Sequence, residues 1–177
     1  MTGVLFCFTF VQCKSKEDKA LAAIKDHFFR TMPDFNSYQP IETSIDSAFH
    51  APYNDRKVLF YAKLCIEALD DIKTYQKLGI EDLVNLSFET YENYTDSIRI
   101  AAMNMQPDFI GWKVVHNFRS KTKDGISELS TRYFIMDDNF NKILVDYGKE
   151  DDEYKFISTI LPEKDWDYWY FIEHNIK

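Results

Sequence analysis

The sequence predicts an α+β fold: an antiparallel sheet of four or more strands, with helices packed on one face. Three observations predict it. Residues 109–147 hold three apolar–polar alternating runs joined by short turns. Ahead of them lie stretches whose apolar residues recur every three or four positions. Each such helix buries only a stripe, so it needs a sheet or another helix to lie on. The strands expected are the meander 109–147 plus 154–161.

The amino end comes first. Gly3 to Val11 is almost wholly apolar, with Gln12, Cys13 and the charged run Lys14 to Asp18 behind it. That run is too short to span a bilayer, which takes about 20 apolar residues. It fits the apolar core of a signal peptide. An apolar core ending in a Cys and followed by polar sequence resembles a bacterial lipoprotein signal. The resemblance implies that Cys13 is lipidated and becomes the mature amino terminus. Phe10 and Gln12 stand where such signals usually carry Leu and a small residue. Residues 1–13 are therefore expected to be a signal-like segment, and 14–177 a single α+β domain. The other reading makes 1–13 a buried first strand.

Ser15 and Asp18 have the spacing of a capping box. Leu21, Ile24, Phe28 and Met32 then predict a helix ended by Pro33. Residues 36–49 read as a short extended segment wrapping that helix, and Pro40 allows only an edge strand there. Asp55 can cap a second helix with the stripe Val58, Ala62, Cys65, Ile66, Leu69 and Ile72, closed at Gly79. A third helix is expected between Ile80 and Met105, with a less regular stretch at 87–90 and Pro107 beyond its end.

The sheet follows. Trp112, Val114, His116 and Phe118 share one face, while Lys113, Asn117 and Arg119 take the other. Asp124-Gly125 makes the turn into the return strand 129–136. The Met136 end of that strand is apolar on both faces, as a doubly covered strand should be. Asp137 to Asn139 turns the chain into Ile143–Tyr147. An acidic turn at 148–153 precedes the expected strand 154–161. Pro162 to Asp165 reads as a helix start.

The run 109–119, Phe-Ile-Gly-Trp-Lys-Val-Val-His-Asn-Phe-Arg, resembles a strand in small, uncharacterised envelope lipoproteins of Gram-negative bacteria. The likeness covers about the middle third of the chain and implies no assigned activity. Helices followed by a meander also look like the cystatin-like or nuclear-transport-factor-like cone, a fold analogy without a function.

A 177-residue chain is one domain by length and can bury a sizeable core. Its net charge of −8 speaks against a nucleic-acid partner, which needs a basic face. The four histidines show no metal-ligand spacing, and no cofactor motif is present. Asp137, Asn139 and Asn141 are spaced like a calcium loop, but Lys142 replaces the required Gly, so a polar turn is the better reading. Cys65 reads as a buried, inert thiol.

Candidate site residues are few. Trp112, His116 and Arg119 are taken as a candidate pocket. His116 is either a hydrogen-bonded core residue or a general base. Trp166, Trp169 and Tyr170 either close the core or form an aromatic binding surface. The function expected is a non-enzymatic envelope lipoprotein, membrane-anchored through Cys13, that binds a protein or glycan outside the cytoplasm. One alternative is a small hydrolase or isomerase in a cone-shaped pocket. The other is a cytoplasmic interaction protein.

Overall fold

The computed structural model describes residues 15–161. The candidate lipidation site Cys13, the signal-like segment 1–13 and the aromatic residues Trp166, Trp169 and Tyr170 lie outside the described residues.

The elements run α1 (Lys16–Thr31), β1 (Gln39–Phe49), α2 (Arg56–Leu78), α3 (Glu81–Met103), β2 (Phe109–Lys121), β3 (Ser127–Met136), β4 (Ile143–Tyr147) and α4 (Asp152–Ile160). The four strands form one antiparallel sheet in the order β1-β2-β3-β4. The α+β class read from the sequence is therefore the class observed.

Local chemistry sets the boundaries. At α1 the Ser15 Oγ accepts from the Asp18 amide at 3.1 Å, and Asp18 Oδ2 accepts from the Ser15 amide at 3.2 Å. That reciprocal pair satisfies two amides the helix itself cannot. At α2 the Asp55 carboxylate accepts from the Lys57 and Val58 amides, both at 2.8 Å. Gly79 ends α2 in the left-handed conformation, φ 71°. α3 is continuous through 87–90, where the sequence had left room for a break.

The fourth strand is a correction. Residues 154–161 were expected to complete the sheet, but Asp152–Ile160 is α4. Tyr154, Phe156, Ser158 and Ile160 alternate, yet Tyr154, Ile157 and Leu161 also keep helical spacing. Nine residues are too few for periodicity to separate the two. Two things favour the helix. Asp152 and Glu153 sit in its first turn, where the dipole favours acids. Ile157 reaches a core shared with α2 and α3, where it is fully buried. The missing strand is β1, longer than the short extended segment expected, and it lies at the sheet edge, where Pro40 is tolerated.

The helices are also not confined to one face of the sheet. Ala20, Ile24 and Phe28 of α1 pack on Val114, Phe118, Phe134 and Met136. On the other face Tyr53, Leu59 of α2 and Tyr154 of α4 pack on Ala48, Ile135, Val145 and Tyr147. The reason lies in β3: Phe134, Ile135 and Met136 point alternately up and down and all three are fully buried. Both faces need a cover there, as the sequence indicated.

One close approach fixes β2 against β3. Gly111 has φ 135°, and a Cβ built on it would run into the Met136 carbonyl. Only glycine fits that position.

Candidate functional site

His116 is fully buried in the face under α1. The β1–β2 register sets Thr43 opposite it, and Tyr38 reaches it from the turn before β1. Its Nε2 lies 2.8 Å from the Tyr38 hydroxyl and its Nδ1 2.9 Å from Thr43 Oγ1. Phe118 stacks on the ring at 5.6 Å. Burial, with Lys25 adding to it, pulls the imidazole below its ordinary value, and a hydrogen bond to the Glu42 backbone offsets this only in part. Burial also pushes the Tyr38 phenol up to about 12, so it keeps its proton. A neutral His116 accepting from Tyr38 and donating to Thr43 satisfies every group. The structure thus gives His116 the surroundings of a hydrogen-bonded core residue.

The candidate pocket around it does not assemble. Trp112 is half-buried at the end of the same face, its indole N–H donating to the Asp138 carbonyl at 3.2 Å. It stacks on Phe140, and the Lys16 ammonium sits 3.6 Å from its ring centre. Val114 separates it from His116. Arg119 is exposed and falls on the opposite face. Cys65 is buried between α2 and α3 with Thr95 Oγ1 at 3.7 Å, and burial raises its thiol. Asp137 turns its carboxylate to the Asn141 and Lys142 amides, as a polar turn does. No group of metal-ligating side chains occurs among the described residues.

A different cluster does assemble, at the junction of β3, β4 and α4. Arg132 Nε donates to Asp146 Oδ1 at 2.9 Å, and its terminal nitrogens reach Asp146 at 2.7 Å and Asp151 at 2.8 Å. Asp146 Oδ2 meets His27 Nε2 of α1 at 2.9 Å. Asp151 Oδ2 accepts from the Gly148 amide at 2.7 Å. Burial alone would lower the Arg132 guanidinium, but the two carboxylates hold it above its usual value. A Cβ on Gly148 would lie 2.9 Å from the guanidinium, so the missing side chain makes room for the fork. Sequence reading missed this cluster, because its members come from four separate elements, α1, β3, β4 and the start of α4. One signal was available: Arg132 alternates onto the same face as Phe134 and Met136, and a cation in a buried register demands carboxylates.

The cluster borders a groove of about 490 Å³ lined by residues 128–133 of β3 and by Gly148, Lys149 and Glu150. The groove exists because β4 is half the length of β3. β4 pairs only with Tyr133 to Met136, and Gly148 then carries the chain away. Among the described residues no strand pairs with Ser127 to Arg132 on this side, which leaves an open edge. Tyr133 forms one end of the floor, stacked on Tyr147 at 5.2 Å, with the Lys149 ammonium 5.9 Å from its ring centre. Leu129 is 65% exposed in the floor. A smaller cavity of about 290 Å³ is lined by Leu59, Phe60 and Lys63 of α2, by Asp146 and Asp151, and by Glu153 and Tyr154 of α4. The arrangement offers backbone groups, an apolar side chain and an aromatic floor, which are the means of binding a polypeptide. No family model, curated protein or solved structure matches this chain.

Proposed function

We propose that the chain is a non-enzymatic cell-envelope lipoprotein, anchored through Cys13, that binds a polypeptide partner outside the cytoplasm. The observation that carries the binding part is the groove beside the open half of β3. A concave site with exposed Leu129, an aromatic floor and a mixed polar rim suits a protein ligand. The anchoring part is supported by the sequence, through the apolar run that ends at Cys13. No helix among the described residues is long and apolar enough to cross a membrane, so an anchor would have to come from elsewhere in the chain. His116, the candidate base of the hydrolase or isomerase reading, has both ring nitrogens hydrogen-bonded to hydroxyls.

Two experiments test the two parts. Metabolic labelling with a fatty-acid probe should mark the wild type and not Cys13→Ser; an unlabelled wild type removes the anchor. For the groove, a photo-crosslinking residue at Lys149 should trap a defined envelope protein in intact cells, while the same residue at Phe29, exposed on α1 over the opposite face of the sheet, should not. Equal trapping at both positions would remove the groove as the binding surface.

A further inference from the structure

The open half of β3 has a specific geometry. The Thr122 amide donates to the Ile126 carbonyl at 2.8 Å, which makes that pair the first bonded pair of the β2–β3 hairpin. Bonded and non-bonded pairs alternate in an antiparallel ladder. Ser120 with Glu128, Phe118 with Ser130, and His116 with Arg132 are then the bonded pairs of this register. The backbone groups of Ser127, Leu129 and Thr131 point the other way, out of the hairpin. Two observations agree with that phase. The Lys121 amide, opposite Ser127, turns outward to donate to Ser37 Oγ at 2.9 Å. On the far side, β4 takes up the same odd-numbered series at Tyr133 and Ile135.

So β3 carries one outward ladder, and β4 uses only its second half. The lane that β4 occupies is vacated at Gly148, and the groove begins there. Ser127 to Arg132 would span about 20 Å at the usual strand rise, the length of an ordinary strand. Unpaired N–H and C=O groups in such a row are a template for another strand.

From this edge we infer that the protein binds its partner by strand addition: an extended, basic segment of another polypeptide continues the lane of β4 along Ser127 to Arg132. This rests on the partner-binding reading above and names its mode. The main-chain groups of Leu129 and Thr131 supply hydrogen bonds that any sequence can satisfy. Side chains supply the selection. Alternate residues of the incoming strand meet Leu129 and the Tyr133 ring on one face, which calls for apolar side chains. On the other face stands Glu128; at the groove wall Glu150 is bridged to Lys155 at 3.2 Å, and Lys149 stands beside it over the Tyr133 ring. The Arg132 charge beside them is already matched by Asp146 and Asp151. Lysine or arginine in the alternate positions on that face complements Glu128. The net charge of −8 attracts a basic segment and opposes a second copy of this chain in the same lane.

The test uses the intact chain and a blocked hexapeptide of alternating Lys and Val as probe. Saturating peptide should slow amide hydrogen exchange at Leu129 and Thr131 by at least about tenfold, as ordered strand pairing does. The same peptide with N-methylated valines should not, and a Glu–Val peptide should bind at least about tenfold more weakly. Glu128→Lys, a change at an exposed position, should weaken the Lys–Val peptide without altering the melting temperature. Thr131→Pro should abolish protection at Leu129, since proline is admitted at an edge but removes an outward amide. If basic peptides bind without slowing exchange at Leu129 and Thr131, strand addition is wrong while partner binding stands. If no alternating basic peptide protects these amides, the inference falls. Protection in the unliganded chain that rises with its own concentration would assign the edge to a second copy and also overturn it.

Discussion

The sheet face under α1 and the α2–α3 hairpin draw on similar residues and bury them to very different degrees. Under α1, Phe28, Phe118, Phe134, Met136 and Phe140 are all buried, and Phe28 alone touches Tyr38, His116, Phe118 and Phe134. In the hairpin, the buried positions are mostly small: Ala62, Cys65, Ala68, Ser87 and Thr95. Toward the Gly79 turn Leu78 is 64% exposed, Leu86 59% and Phe88 50%. Each helix has 23 residues, about 35 Å at 1.5 Å per residue. α4 adds Phe156 and Ile157 to one end of the pair. What decides burial here is the number of neighbouring elements rather than apolar content. The difference locates where stability resides and makes the mutants unequal.

The largest effect should come from the α1 face. Phe134→Ala should cost about 3–5 kcal/mol in chemical denaturation, because the ring is enclosed on all sides. A loss under about 1 kcal/mol would put this face on a par with the hairpin. Next is His116→Phe, which strands the Tyr38 and Thr43 hydroxyls and should cost about 1–3 kcal/mol. It should also change the pH profile. The folded imidazole sits below its ordinary 6.5, so between 6.5 and that lowered value the unfolded chain binds more protons. Wild-type stability should therefore fall as pH drops through that window, and His116→Phe should flatten the fall. An unchanged acid limb in denaturant titrations would show that His116 is not the group responsible.

The hairpin should respond more mildly. Asp55→Ala removes the cap of α2 and its 2.7 Å contact with His50, and should cost about 1 kcal/mol by the usual value of a cap. Burial raises the Asp55 carboxyl, but hydrogen bonds from Val58, His50 and Lys57 outweigh it and leave the group below 3.8. Its contribution is present above that pH and lost as pH falls toward the lowered value. The smallest effect should be Phe88→Ser near the turn, within about 0.5 kcal/mol, as for surface positions generally. A large melting-temperature drop in Phe88→Ser would show that something covers the hairpin.

Legibility in the sequence followed the reach of each signal. Local signals read correctly: Ser15 with Asp18, Asp55, Gly79 and the alternation through Trp112, Val114, His116 and Phe118 all act within a few residues. The double burial at Met136 was also visible, as a break in alternation. Two kinds of feature were not. β1 lacks a clean apolar face, since it is an edge strand in which Ile45 and Ala48 do most of the packing. The Arg132 cluster depends on a chain separation of 119 residues between His27 and Asp146, which no spacing rule covers. The open half of β3 was hidden for a related reason. An edge is defined by what fails to pair with it, so it depends on where β4 stops.

Gly111 has a consequence for the route as well as the end point. Pairing in a long hairpin is degenerate, because a shift of two residues keeps every side chain on its proper face. β2 and β3 form ten cross-strand pairs, enough for several such shifts. At the Met136 carbonyl, however, a shift would bring Phe109 or Lys113 to the place that admits no Cβ. The glycine therefore works as an index mark, and the wrong alignments of the hairpin collide before the rest of the sheet can assemble on them.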